Sequence, residues 1–65
     1  MYVPTEREKA VLEFLKEKGR PVHETEIAAA LKTVSAALDG CRAKNFAEKD
    51  ERGFFHLTQS GRNAF

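Results

Sequence analysis

The residues of this chain whose side chains could do covalent chemistry are few: Cys41, His23, His56 and Ser60. A Cys–His nucleophile pair needs an exposed cysteine beside a histidine, but Cys41 lies on an apolar stripe and is typical of a small core residue. We expect His23 at the start of a helix and His56 on the solvent-facing side of a strand, and Ser60 has no base arranged near it. The sequence therefore predicts no enzyme activity, no metal site and no cofactor.

Length and composition limit what the chain can be. Its 65 residues suit one small domain, residues 1–65, and its single cysteine cannot form an internal disulfide. The longest uninterrupted apolar run, residues 27–31, is far shorter than a membrane span. The first residues lack the basic region and apolar stretch of a signal peptide. We therefore expect a soluble cytoplasmic protein that does not enter a membrane.

The charge of the chain is nearly balanced. Its formal net charge is +1, with six basic and six acidic residues up to Lys32 and five basic and four acidic residues after it. Neither part has the basic excess of a strong, nonspecific phosphate binder. Any binding of nucleic acid would have to use a local basic patch.

The first element that the sequence predicts is a helix that begins at Thr5. Thr5 and Glu8 have the spacing of a capping box. Gly19 supplies a left-handed stop, and Pro21 prevents the helix from resuming. The segment 20–22 is then expected to be extended and to lie at the edge of a sheet, where a proline is tolerated.

A second helix is predicted to begin near His23. Glu24 and Glu26 fall in its first turn, where they favour the positive end of the helix dipole. Ile27 and Leu31 are expected to point inward.

A third helix is predicted over residues 33–44, with a buried stripe of Val34, Leu38 and Cys41. Asn45 can adopt the left-handed geometry that often ends a helix. A hairpin follows it.

The hairpin is predicted from residues 48–49, a short turn at 50–53, and a second strand at 54–57. Thr58 is placed to cap a last helical turn, which Gly61 is expected to end. The elements together predict a fold that is mainly α with a small β-hairpin, an α+β fold.

This order of elements resembles a winged helix-turn-helix domain, in which a recognition helix is followed by a β-hairpin called the wing. Residues 25–31, with the sequence Thr-Glu-Ile-Ala-Ala-Ala-Leu, resemble the first helix of many helix-turn-helix motifs. The resemblance implies three helices plus a two- or three-stranded wing. It also implies a transcriptional regulator that binds double-stranded DNA.

The turn between the second and third helices is about one helical turn shorter than the family pattern. Five apolar residues therefore form a continuous heptad stripe, which one long helix over residues 23–44 would also satisfy. That stripe consists of Ile27, Leu31, Val34, Leu38 and Cys41. We favour a tight bend at residues 32–33, because the flanking elements fit the winged order.

The resemblance implies a DNA-binding surface on the third helix and the hairpin. A family member would use the start of the third helix to read bases and a cation at the wing tip to enter the minor groove. By expected role, the residues are Thr33, Ser35 and Ala36 for the major groove, Arg42 and Lys44 for the DNA backbone, Arg52 at the wing tip, and Lys32 and Lys49 for phosphates.

Two features of the third helix also allow a different function. Position 36, often arginine in the family, is alanine here, and Asp39 would repel phosphate. The helix is instead smooth and rich in small residues, which favours close packing against another protein. The small residues are Ala29 of the second helix and Ala36, Ala37, Gly40 and Ala43 of the third. The alternative is therefore a winged helix that serves as a protein-interaction module or a homodimer.

Overall fold

The computed structural model describes residues 3–32 and 34–64, which form an α+β fold of four helices and one three-stranded antiparallel sheet. In chain order the elements are α1 (Glu6–Lys18), β1 (Val22–His23), α2 (Glu24–Leu31), α3 (Ser35–Ala43), β2 (Ala47–Lys49), β3 (Phe54–Leu57) and α4 (Gln59–Asn63). Thr33, which the sequence assigned to the start of the third helix and to the DNA contact, lies outside the described residues.

Both ends of α1 are set by local chemistry, as predicted. The Thr5 hydroxyl accepts a hydrogen bond from the Glu8 N–H at 3.2 Å, and the Glu8 carboxylate accepts one from the Thr5 N–H at 2.9 Å. At the other end Gly19 has a φ of 65°, and its N–H donates to the Leu15 carbonyl. The predicted capping box and left-handed stop are both confirmed.

The sheet has the strand order β1-β3-β2. Val22 of β1 lies opposite Phe55 of β3, and Lys49 of β2 lies opposite the same phenylalanine from the other side. The predicted hairpin is therefore confirmed, and so is the prediction that the segment after α1 lies at the edge of a sheet. The first hairpin strand begins at Ala47, one residue earlier than predicted.

The helical conformation is interrupted between α2 and α3. The alternative of one continuous helix over residues 23–44 is therefore wrong, and the predicted bend is confirmed. The first helix of the pair ends at Leu31, and Lys32 has φ 56° and ψ 171°, which no α-helix contains. Helix α3 begins at Ser35 after Val34, whose side chain is buried. The break lets Ile27 and Val34 enter the same core from two separate helices, both of which pack on α1.

One hydrophobic cluster lies between the helices and the sheet. Its residues are Val11, Leu12, Leu15, Val22, Ile27, Val34, Ala37, Leu38, Cys41, Phe46, Ala47 and Phe55. The predicted inward stripe of the third helix is therefore confirmed, and the cluster also contains Ala37, which the sequence assigned to an exposed surface.

The alanine-rich surface predicted on the third helix is partly wrong. Ala37 is buried, and Gly40 lies against the Glu8 carboxylate, so that a Cβ at this position would overlap it. The reason is that α1 packs closely on this side of α3, which the composition of α3 does not reveal. Ala36 and Ala43 are exposed, as is Ala29 of α2.

Helix α4 closes the fold over the end of the sheet. The Thr58 hydroxyl accepts from the Gly61 N–H at 3.0 Å and donates to the Asn45 carbonyl at 2.6 Å. The prediction that Gly61 ends this helix is wrong, because the helix continues to Asn63. Gly61 is needed instead for close approach, since a Cβ there would collide with the Phe46 carbonyl oxygen.

None of the helices within residues 3–32 and 34–64 is long and apolar enough to cross a membrane.

Candidate nucleic-acid interface

The predicted DNA-binding residues do not all lie on one surface. Ser35, Arg42 and Lys49 line one groove of about 280 Å³ between α2, α3 and the hairpin. Lys32 is exposed at the corner between the two helices, and Ala36 is exposed in the first turn of α3. These five residues surround the start and one side of α3.

The groove has an apolar floor, and its rim carries both positively and negatively charged side chains. Ser35, Asp39 and Arg42 are spaced four and three residues apart and so share one side of α3. Leu38 and Phe55 form part of the floor. Because Asp39 lies between Ser35 and Arg42 along this side, a phosphate in the groove would meet a carboxylate as well as a guanidinium group.

Lys49 enters the groove from β2 and is already partnered. Its ammonium group lies 3.2 Å from the Glu24 carboxylate of α2, and it also lies 5.9 Å from the centre of the Phe55 ring. Both side chains of the ion pair are partly exposed, at 33% for Lys49 and 45% for Glu24. A DNA phosphate would therefore have to compete with Glu24, in an exposed pair of the kind that contributes little stability.

The backbone of the turn between β2 and β3 is held by hydrogen bonds to Asp50. The Asp50 carboxylate accepts hydrogen bonds from the N–H groups of Arg52 and Phe54, each at 2.9 Å. The hydrogen bond from Phe54 is the main cause that lowers the pKa of Asp50. The side chain of Arg52 is exposed on this turn, and it has no ion pair among the described residues.

Helix α2 holds this turn next to the groove. The Glu24 N–H donates to the Gly53 carbonyl at 3.0 Å, while the Glu24 carboxylate binds Lys49. Gly53 has a φ of 89°, and a Cβ there would come within 3.0 Å of the His23 ring. The hairpin turn thus packs against the start of α2, and Arg52 extends from a turn that is hydrogen-bonded to that helix.

Lys44, the remaining predicted contact, is engaged elsewhere. Its ammonium group lies 2.7 Å from the Glu8 carboxylate of α1 and 3.4 Å from the Val3 carbonyl. Glu8 is only 5% exposed. Lys44 therefore joins α3 to α1, and the structure gives no reason to place it on a DNA backbone.

The Glu8–Lys44 pair also sets the electrostatics of the α1–α3 contact. Burial raises the pKa of Glu8, but hydrogen bonds from Lys44 and Thr5 outweigh it and lower the pKa overall. Burial, together with the nearby Glu8 carboxylate, raises the pKa of the Cys41 thiol to about 11. Cys41 is fully buried and its sulfur lies 3.8 Å from the Glu8 carbonyl oxygen. The thiol is consequently a neutral core group, as its place on the apolar stripe predicted.

Sequence reasoning missed two features near this surface. It did not find Glu24 as the partner of Lys49, because the two residues are 25 positions apart. It also missed the Glu8–Lys44 pair, although Glu8 was recognised as part of a capping box. No local signal marks either pair, since both depend on how separate elements pack.

Nothing within the described residues resembles a metal centre, because no three His, Cys, Asp or Glu side chains are grouped to hold an ion. Comparison of the chain with protein-family models, with curated proteins and with solved structures found no significant match.

Proposed function

We propose that this chain is a small winged helix-turn-helix domain that binds double-stranded DNA through α3 and the hairpin turn, as a transcriptional regulator. The order of the elements supports the proposal: α2 and α3 are adjacent helices separated by a break, and a hairpin follows α3 directly. The sheet order β1-β3-β2 supports it too, because the short strand before α2 pairs with the second hairpin strand.

One observation carries the proposal. Ser35 and Arg42 of α3 line the same groove as Lys49 of the hairpin, and Glu24 ties the hairpin turn with Arg52 to the side of that groove. A helix and a neighbouring loop that present cations side by side can contact the two strands of one duplex.

The start of α3 adds a further contact. Val34 occupies the N-cap position and has no side-chain oxygen to accept from the first N–H groups of the helix. A DNA phosphate at this end would accept from those groups and would also meet Lys32 at the corner before it. Lys44 is left out of the proposed interface because Glu8 holds it.

The proposed contacts predict modest affinity and little sequence preference. Four cations could contact phosphates: Lys32, Arg42 and Arg52, and also Lys49 where a phosphate displaces Glu24. The slope of log K against log salt should then be about −3.6, from 0.9 for each of four contacts. Base reading would be limited, because the first two turns of α3 lack the Arg, Lys, Asn and Gln side chains that make bidentate contacts.

Fluorescence anisotropy with a labelled mixed-sequence duplex tests the proposal. At about 50 mM salt we expect binding at tens of micromolar protein or below. Arg42→Gln and Arg52→Gln should each weaken binding several-fold for all sequences and make the salt slope shallower by about 1. Arg7→Gln is the matched control, since Arg7 is an exposed arginine of α1 that does not line the groove. Equal losses in all three variants, or no binding at low salt, would refute the interface.

A second candidate function is contact with another protein. Ala28, Ala29 and Ala30 are all exposed on α2, and Ala36 and Ala43 are exposed on α3. Small exposed side chains let another backbone approach closely, and the charges of both signs around the groove suit a protein better than a phosphate chain. Sedimentation analysis decides whether the partner is a second copy. A concentration-dependent dimer that Ala29→Arg disrupts, together with no DNA binding, would favour this candidate.

A further inference from the structure

A second cleft, of about 390 Å³, lies between the C-terminal end of α1, the segment before β1, the end of β3 and α4. It shares no lining residue with the groove beside α3. The residues that matter for its chemistry are Leu15, Lys16, Arg20, His56, Leu57 and Arg62. This volume falls in the lower part of the range typical of small-molecule sites.

The charge of this cleft differs from that of the groove beside α3. Its lining includes two arginines, a lysine and a histidine, and none of the described residues that line it is acidic. The groove beside α3 instead has Glu24 and Asp39 among its lining residues. The residues that line this cleft thus carry more positive charge than those that line the groove, although Glu26 pairs with Arg20 and Glu48 lies 3.6 Å from His56.

Two arginines line the cleft from different parts of the chain: Arg20 lies between α1 and β1, and Arg62 lies on α4. Arg20 is held in place, because its guanidinium group donates to the Pro21 carbonyl at 3.2 Å and to the Glu26 carboxylate at 3.1 Å. Arg62 is exposed on α4 and forms no ion pair with the described residues. An anion in the cleft would meet Arg62, which can turn towards it, and would share the guanidinium group of Arg20 with Glu26.

The lower wall of the cleft is apolar. Leu15 is a core residue of α1, and Leu57 at the end of β3 packs against the same core while remaining partly exposed. Leu15 is only 3% exposed, so the apolar surface that a purely charged ligand would leave in contact with water belongs mainly to Leu57. A ligand with an apolar body would cover it and gain from the burial of apolar surface.

We propose that this cleft binds a small organic anion, in which a carboxylate or phosphate group meets Arg20 and Arg62 and an apolar body covers Leu57. The basic side chains that line the cleft favour an anion. The volume of the cleft and its apolar wall favour a body about as large as an aromatic ring. The proposal does not depend on DNA binding, since the two surfaces have no residue in common.

An NMR titration of the ¹⁵N-labelled full chain with phenyl phosphate and with benzoate tests the proposal. Both probes should shift the amide signals of Gly19, Leu57 and Arg62, with a dissociation constant on the order of 1 mM. Benzyl alcohol and benzylamine have a ring of the same size without the anion. Each should bind at least about tenfold more weakly, because the charge-assisted hydrogen bonds are lost.

Two variants make the test specific. Arg62→Gln should weaken the binding of phenyl phosphate about fivefold or more, as expected for the loss of a charge-assisted hydrogen bond. Arg7→Gln removes one exposed positive charge of α1 outside the cleft, and it should leave the affinity within about twofold. Arg62 is exposed, so its replacement is expected to leave the fold intact.

Three results would overturn the proposal. The first is equal affinity for phenyl phosphate and benzyl alcohol, which would show a purely apolar site. The second is a set of shifted signals confined to α3 and the hairpin turn at residues 50–53, which lie outside the cleft. The third is an equal loss of affinity in Arg62→Gln and Arg7→Gln, which would mean that only the overall charge attracts the probe.

Discussion

Replacing Lys44 by methionine removes the ammonium group that pairs with the buried Glu8 carboxylate, while most of the aliphatic stem remains. The two charged groups are 2.7 Å apart and join α1 to the end of α3. Glu8 is 5% exposed and its side chain cannot reach water freely after the change. The variant therefore leaves a buried carboxylate whose main cationic partner is gone.

The expected cost follows from what Glu8 keeps and what it loses. Loss of one partner of a fully buried ion pair costs about 3–5 kcal/mol. The Lys44 side chain is 24% exposed, and Glu8 keeps its hydrogen bond from the Thr5 N–H, so the cost should be smaller. We expect Lys44→Met to lower the free energy of unfolding by about 2 kcal/mol. A chain of this length has roughly 3–10 kcal/mol in total, so the loss is easily measured.

Urea denaturation followed by circular dichroism measures this loss in a double-mutant cycle. The cycle uses Lys44→Met, Glu8→Gln and the double variant, because glutamine can still accept from Thr5 and so keeps the capping box. We expect a coupling free energy of about 1–2 kcal/mol. Lys9→Met is the control, since Lys9 is an exposed lysine of the same helix that Glu8 belongs to, and its replacement should change stability by less than about 0.5 kcal/mol.

The pH dependence provides an independent check. The pKa of Glu8 is lowered in the folded state, so its contribution is present above its ordinary pKa of 4.5 and is lost as the pH falls through the lowered value. The difference in stability between the natural chain and Lys44→Met should accordingly shrink in acid. A coupling energy near zero, or a difference that stays constant down to the acid limit of folding, would refute the role assigned to this pair.

Two further predictions concern the packing of α3 and α4. Gly61→Ala should destabilise the protein by about 2 kcal/mol, because its Cβ would collide with the Phe46 carbonyl; Ser60→Ala, at an exposed neighbouring position, is the matched control. Equal unfolding midpoints for these two variants would contradict the close approach of α4. The buried Cys41 thiol, with its pKa raised to about 11, should not react with a thiol reagent at pH 8 until the chain unfolds in urea. Rapid labelling of the native protein would contradict its burial.

Sequence reasoning succeeded where the causes are local. Thr5 and Glu8 are three residues apart, and Gly19 and Asn45 each have a positive φ at the end of a helix. Such caps are set by a few neighbouring side chains and by backbone sterics, so a short stretch of sequence is enough to predict them. The hairpin around residues 50–53 was predicted for the same reason.

The interruption between α2 and α3 could not be predicted from neighbouring residues alone. Lys32 adopts a φ of 56° without being glycine or asparagine, so its sequence gives no sign of the bend. The heptad spacing fits one long helix equally well. Only the packing of both Ile27 and Val34 into one core with α1 decides between the two structures, and that packing is a property of the whole fold.

The candidate site was the least predictable part, because charge pairs form between distant segments. Lys44 was assigned to DNA by its position at the end of the third helix, yet its partner Glu8 is 36 residues away. Nothing in the sequence indicates that Arg20 and Arg62 belong together. They line one cleft only because α4 packs against α1. Residue type and spacing along a helix do not contain this information.

The two basic surfaces can be separated by comparing variants of identical net charge. Arg42→Gln and Arg62→Gln each change the formal net charge from +1 to 0, so a nonspecific electrostatic effect would be the same in both. If the assignments are right, DNA affinity falls more with Arg42→Gln, and phenyl phosphate affinity falls more with Arg62→Gln. A larger loss of DNA affinity with Arg62→Gln would mean that the duplex contacts the cleft between α1 and α4. The proposed interface on α3 and the hairpin turn would then no longer explain DNA binding, because Arg62 lies on α4, outside that interface.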